Sequence, residues 1–420
     1  MTDSATIEIP QPFSRSRSGE LLRLPVLVAA LGYMVDMYDL FLFSIVRVSS
    51  LKSMDISGDS IMKNGIMLLN LQMAGMLVGG IVWGIMGDKK GRLSVLFGSI
   101  LIYSLANIGN GFVTSVGAYA ALRFIAGFGL AGELGAGMTL VTEILPIKMR
   151  GYGATLVATM GVIGALLAYL VSFFFDWRIS YFIGGALGLL LMILRIKVFE
   201  SGIFMKLKEK NVKRGNIFML FNKKKRLTKY ISGILIGMPM WFTAGILITF
   251  SPEFGKALGL NKPVDAGKAL MFFFAAQVAG NFVSGFMSQW LQSRRKTILL
   301  FILSSALFVL VYLLVPFRSS TIFYAVCIGL GFCNGYWTLF IAVAAELFGS
   351  NLRATVATTV PNFVRATVIP LSFLFGVTKG FAGTIYGALI VAFITYVVAL
   401  IALLFLEETF KKDLNYQEGE

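Results

Sequence analysis

The chain has 420 residues, 57% hydrophobic and 14% charged, with a mean hydropathy of +0.81. Soluble domains carry about a quarter charged residues, so this chain has no polar coat and its solvent is lipid. Its formal charge of +16 gathers in alternate loops, tails and helix ends, which is the positive-inside pattern of a membrane protein and not a nucleic-acid footprint.

In chain order, residues 1–23 form a polar tail without the apolar stretch of a cleavable signal peptide. Six apolar segments follow, at 24–46, 65–86, 93–112, 116–141, 152–174 and 179–198. Each is long enough to cross ~30 Å of hydrocarbon as a helix, so 24–198 is expected to form one bundle. The linker 199–229 carries ten Lys or Arg against Glu200 and Glu209, a composition expected of an amphipathic helix on an anionic leaflet. Six further segments, at 230–250, 266–289, 297–315, 321–343, 354–378 and 382–406, make a second bundle over 230–406, with a tail at 407–420. The expected class is therefore an all-α membrane protein of twelve spans. The even number puts both termini on one side, and the cations make that side the cytoplasm. No Asn-x-Ser/Thr sequon occurs, which points to a bacterial inner membrane. Cys327 and Cys333 lie in one apolar run, about 120° apart on a helix, so no disulfide is expected. The absence of histidine removes imidazole proton relays and most zinc chemistry.

The halves repeat. Thr142–Arg150 is echoed by Ala345–Arg353, with Glu143 matching Glu346 and Arg150 matching Arg353 at a constant offset of 203 residues. Between the second and third segments, Gly84, Asp88, Lys89, Gly91 and Arg92 spell G-x-x-x-D-K-x-G-R. This loop resembles the signature loop of the major facilitator superfamily of membrane transporters. Arg123-Phe-x-x-Gly127-x-Gly129, followed by Glu143-x-x-Pro146-x-x-x-Arg150-Gly151, resembles the fourth-helix signature of the sugar-porter and metabolite–proton symporter branches. Asp36-Met37-Tyr38-Asp39 is similar to the acidic-x-aromatic-Asp motif of metabolite–proton and aromatic-acid–proton symporters, and Gly132-Glu133 matches the Gly-Glu of the metabolite–proton group. The resemblance implies two pseudo-symmetric six-helix bundles, alternating access, function as a monomer, and a cytoplasmic latch. In that latch Asp88 would meet amides of a helix in the other half, and Lys89, Lys90 and Arg92 would pair with lipid phosphate or Glu143. The chain departs from the pattern in three places. Leu93 follows Arg92, the matching loop Gln289–Lys296 lacks an aspartate, and Pro239 stands 203 residues after Asp36.

A charge at mid-helix costs roughly 2.5–3.5 kcal/mol on insertion scales, so Asp36, Asp39, Arg123, Glu133 and Arg365 must face one another or a wet cavity. At ~1.5 Å per residue, Asp39 and Arg123 lie at matching depths, which predicts an ion pair between them. Asp36 is one turn deeper on nearly the same face, and Arg365 is also near the midplane. Proton coupling must run through carboxylates. Asp36 or Asp39 is the expected proton site, with Glu133 next. Arg123 and Arg365 suit a substrate carboxylate, which guanidinium binds as a fork. Gln277, Asn281, Asn334 and Asn362, with Trp241, Tyr336 and Trp337, lie at similar depth. Each of these polar groups alone could equally serve as glue between helices, and Asp39–Arg123 could be a static structural pair.

These readings favour a proton-coupled importer of a small organic anion or zwitterion. A proton-driven exporter is the alternative within transport, but the fifth helix, at Gly161–Leu166, lacks the Gly-Pro pair that exporters of this superfamily carry. Uptake of a larger polycarboxylate such as a siderophore, or a non-transporting sensor using the long basic linker, stays open. No phosphate loop, metal cluster or activated nucleophile can be assembled, so no catalytic residue, metal or cofactor is expected. The expected partners are a small-molecule substrate, protons and the bilayer, with no nucleic acid.

Overall fold

The computed structural model describes residues 23–146, 149–196, 220–317 and 319–410. In the first half the crossings are Leu24–Lys52, Asp59–Lys90, Arg92–Phe112, a fourth broken into Val116–Leu130 and Glu133–Ile144, then Arg150–Phe174 and Trp177–Arg195. The seventh is built from Lys224–Leu235, Met238–Phe242 and a π-helical stretch, Thr243–Ile248. After a short helix, Ser251–Ala257, come Ala266–Trp290, Arg294–Leu314 and a tenth crossing broken into Ser320–Cys333 and Trp337–Glu346. The eleventh begins as Ser350–Ala366 and continues into Val368–Leu404, which doubles back at Gly383 to become the twelfth. Gly383 has φ 76°, open to glycine at little cost, and across the turn Thr378 Oγ1 donates to Gly387 O at 3.0 Å. Twelve crossings result among the described residues, so the first begins and the last ends at one face, here the terminal face; the other is the far face.

The helices overrun several segments read from hydropathy. The second starts at Asp59 and the seventh at Lys224, within the stretch assigned to the linker. The amphipathic linker helix falls largely on residues 197–219, outside the described residues. The internal repeat survives in three dimensions, because the fourth and tenth crossings break at equivalent places.

Close helix packing repeats as well. A Cβ on Gly127 of the fourth span would sit 2.0 Å from Gln72 O of the second, and one on Gly75 would sit 2.1 Å from Phe124 O. In the second half, Gly331 and Gly280 stand equally close to Phe273 O and Phe332 O, at 2.0 and 2.1 Å. Where lipid is as apolar as the side chains, such small residues hold spans together by letting backbones touch. Gly127→Ala and Gly331→Ala should each cost about 1–3 kcal/mol by overpacking, read as a lowered melting temperature in detergent. Gly285, with nothing within 4 Å of its Cβ position, is the control. Equal melting of Gly285→Ala and Gly127→Ala would remove this account.

Candidate functional site

The first span is the spine of the site. Gly32, Asp36, Asp39, Phe43 and Arg47 recur at helical spacing on one stripe, and each faces an opposite charge or a cation from another helix.

At the far end, Arg47 is fully buried and grips Glu253 of the second half with both terminal nitrogens, at 2.7 and 2.8 Å. Its guanidinium lies 4.4 Å from the Phe250 ring centre. Gly65 leaves room for it, since a Cβ there would sit 2.6 Å from Arg47 Cδ. Nearby, Thr249 Oγ1 donates to Ser44 Oγ at 3.1 Å, again between halves. Sequence reading passed over Arg47 and Glu253 because charges near helix ends are ordinarily solvated.

At mid-depth, Arg365 of the eleventh span approaches Asp36 of the first at 3.8 Å, with both side chains fully buried. Neither Asp36 oxygen has a hydrogen-bond partner, and neither do Nε and Nη2 of Arg365. Arg365 Nη1 donates to Asn362 Oδ1 at 3.2 Å, and Asn362 in turn donates to Ala131 O of the first half at 3.0 Å. Asp39 and Arg123 correspond in depth as expected but form no ion pair. All three Arg123 nitrogens and both Asp39 oxygens lack hydrogen-bond partners, although their charges act on each other. Arg123 lies instead over the Phe43 ring, at 4.9 Å.

Glu133 has a partner that sequence reading missed. Arg195, at the terminal end of the sixth span, binds it through two bonds of 2.9 and 2.6 Å, and Ser99 Oγ donates a third at 2.8 Å. A Cβ on Gly32 would sit 2.2 Å from Arg195 Nη2, so the first span is cut away to admit the pair.

Around Asp39 and Arg123 polar groups accumulate. Gln72, Asn107, Asn110, Ser104 and Tyr103 are all fully buried. With Asp39 and Arg123 they hold thirteen polar side-chain atoms without a hydrogen-bond partner. Each such group left dry costs about 1–3 kcal/mol, against about 5–15 kcal/mol for the stability of a whole protein.

Between the halves lies a cavity of about 50 Å³, lined by Tyr33, Phe41, Trp241, Phe274 and Trp337 among others, with Gln277 and Asn281 as its polar side chains. Gln277 Nε2 donates to Asn334 O at 3.2 Å, and Asn281 Oδ1 accepts from Thr338 N at 3.3 Å. Arg365 lies beside this cavity, its guanidinium 5.9 Å from the ring of Trp241, one of the lining residues. Phe41 of the first half and Trp241 of the second lie 13° from parallel, with centres 6.1 Å apart. The π-helical stretch begins two residues after Trp241, an irregularity common at functional sites. Of the expected substrate contacts, Trp241, Gln277 and Asn281 line this cavity. Asn334 and Tyr336 stand behind it, with the Tyr336 hydroxyl donating to Ile236 O at 3.1 Å, where the seventh span breaks.

At the terminal face, Gly84 packs 3.6 Å from Thr359 of the eleventh span, measured from its Cβ position, so the signature loop does abut the other half. Gly91 ends the second span and opens the third with φ 102°, and Lys89 is exposed. The side chains of Asp88, Arg92, Glu143, Arg150 and Arg353 lie outside the described residues. In the second half, Glu346 pairs with Arg294 at 3.2 Å and accepts from Thr409 Oγ1 at 2.7 Å. The acid missing from loop Gln289–Lys296 comes from the tail. Glu408 accepts from the Ser293 hydroxyl and from the N–H groups of Arg294 and Arg295, at 2.9 and 3.3 Å for the latter two. Burial opposes ionisation there, yet these hydrogen bonds hold the Glu408 carboxyl below its ordinary range.

A family model described as Major Facilitator Superfamily matches residues 29–360. The niacin transporter NiaP of Acinetobacter baylyi is 32% identical over 178 residues, 41% of this chain and 40% of that relative, so the match spans about two fifths of its length. A gentisate transporter of Corynebacterium glutamicum is 25% identical over 345 residues, 79% of this chain and 75% of its own. A Haemophilus influenzae protein named for metabolite transport is 26% identical over 90% of this chain and 94% of its own. In fold, the chain resembles a crystal structure of a D-xylose–proton symporter, with TM-score 0.71, 16% identity, and coverage of 95% of this chain and all of that one. Two repeated six-helix halves, a glycine-bounded loop against the other half and a family match across most of the sequence agree: the chain belongs to the Major Facilitator Superfamily.

Proposed function

We propose that this transporter imports a small aromatic carboxylate together with a proton by alternating access, as a monomer in a bacterial inner membrane with both termini in the cytoplasm. The observation that carries this reading is the Asp36–Arg365 pair. It joins the two halves beside an aromatic-walled cavity, and the Nε/Nη2 edge of Arg365, the edge that binds a carboxylate as a fork, makes no hydrogen bond and meets Asp36 only at 3.8 Å. A substrate carboxylate that takes this edge deprives Asp36 of its nearby cation. A buried carboxylate without a counter-ion is costly by several kcal/mol, so Asp36 takes a proton, and substrate and proton are bound together. The aromatic walls favour a flat ring by stacking, and relatives named for niacin and gentisate fit that chemistry. Glu133, held by Arg195 and Ser99, serves in this reading as architecture and not as the proton site. Asp88 and the loop Gly84–Arg92 serve as the cytoplasmic latch.

The test is uptake by proteoliposomes under an imposed pH gradient. Labelled benzoate should accumulate against its concentration gradient when the outside is acid, and a protonophore should abolish accumulation. If no organic acid is accumulated under a gradient, but one is expelled, the import reading fails in favour of export.

A further inference from the structure

We infer that the first bundle encloses a water-filled proton route running from the far face to Asp39 and on to Asp36, separate from the substrate cavity. The inference rests on the reading of Asp36 as the proton acceptor.

The thirteen unpartnered polar atoms of Gln72, Asn107, Asn110, Ser104, Tyr103, Asp39 and Arg123 are what carry it. Apolar cavities stay dry, whereas clustered amides, hydroxyls and charges hold water, each molecule making 2–4 hydrogen bonds. The second half has no comparable concentration among its described residues.

The groups are also in line. Tyr103, Asn107 and Asn110 stand at i, i+4 and i+7 on one face of the third span, and Asn110 is two residues from its far end at Phe112. Asp39 and Ser104 pack against the sixth span, where a Cβ on Gly184 would lie 2.5 Å from Asp39 Oδ1 and one on Gly188 2.1 Å from Ser104 Oγ. Asp39 and Asn107 are within reach of each other. Next to Arg123, the Tyr119 and Tyr181 hydroxyls share a hydrogen bond of 2.6 Å. None of these side chains lines the substrate cavity.

The chemistry is a chain of proton hops. Each hop forms one O–H bond and breaks another, from water through the Asp39 carboxylate to the Asp36 carboxylate one turn along the same helix face. The charge of Arg123 keeps acting on Asp39 without a direct pair, while Asp36 loses its own counter-ion when Arg365 turns to the substrate. The proton therefore comes to rest on Asp36. Because the route lies inside one half, a proton can arrive while the cavity between the halves is shut.

Two measurements test this on the full-length protein. The double variant Asn107→Leu, Asn110→Leu keeps side-chain size but removes the water-binding amides. Its gradient-driven initial uptake rate should fall at least tenfold, while substrate exchange at equal pH stays within twofold and the melting temperature does not drop. Unchanged gradient-driven uptake overturns the route, and so does a parallel loss of exchange and melting temperature, which would mark the amides as structural. Independently, hydroxyl radicals generated in situ by an X-ray pulse should oxidise buried Tyr103 and Tyr181 in the unmodified protein. Absence of label on both tyrosines overturns the route whatever the variants do. Accumulation retained by Asp36→Asn would instead fell the acceptor reading, and the radical labelling would still decide whether the chamber is wet.

Discussion

Asp36→Asn is expected to abolish accumulation of substrate against a gradient while leaving exchange across proteoliposomes within a few-fold of the parent. Asparagine keeps the shape of the protonated aspartate but neither gains nor loses a proton, so the carrier is held in its proton-loaded form. Exchange needs no net proton movement and should persist. Arg365→Lys should behave differently. Lysine keeps the charge but replaces a planar fork with a point donor, so substrate affinity should fall by about 1.5–3 kcal/mol, the worth of a charge-assisted hydrogen bond, or roughly ten- to more than hundredfold in half-saturating concentration. Asp36→Asn that still accumulates substrate, or Arg365→Lys with unchanged affinity, would each remove one leg of the coupling scheme.

Breaking the far-face pair should have an equally large effect on conformation. Arg47 is fully buried and Glu253 is 21% exposed, so Arg47→Ala removes the gripping group and Glu253→Gln strands a buried cation. Removing one partner of a buried pair costs about 3–5 kcal/mol. On the alternating-access reading proposed above, opening the far face parts the halves at this pair, so that loss would fall on the closed state alone. At 1.4 kcal/mol per factor of ten, the open population should rise about a hundredfold or more. Ser44, buried at this seam beside Thr249, reports the change. A cysteine there should react slowly with a far-side maleimide in the parent and rapidly in Arg47→Ala. The charge-swapped double variant, Arg47→Glu with Glu253→Arg, should slow labelling again. Equal labelling rates in all three would show that the pair does not hold the far face shut.

Membrane crossings were legible because lipid imposes a length and an apolar composition on any helix that spans it. The repeat was legible because Glu143 and Glu346, and Arg150 and Arg353, keep one offset. Buried charge was legible too, since Asp36, Asp39, Arg123, Glu133 and Arg365 sit in segments where unpaired charge is costly. Pairing was not. Matching depth suggested Asp39 with Arg123, yet depth fixes one coordinate and leaves rotation about each helix axis open. Arg195 and Arg47 lie close enough to helix ends to pass for solvated cations, and long side chains of that kind can turn inward as readily as outward. The missing loop aspartate of the second half is replaced by Glu408, more than a hundred residues away in sequence.

The sequence by itself determined the solvent, the number and order of spans, the family and the identity of most buried ionisable groups, because hydrophobicity and the cost of charge in lipid act residue by residue. Only the tertiary structure decided which charge meets which. It turned Asp36 to Arg365 across the two halves, bound Glu133 to Arg195, set Arg47 into Glu253, and gathered unpartnered amides around Asp39. Those choices depend on how a dozen helices rotate and pack against one another, and glycines such as Gly32, Gly65 and Gly127 set that packing by how closely they let neighbours approach.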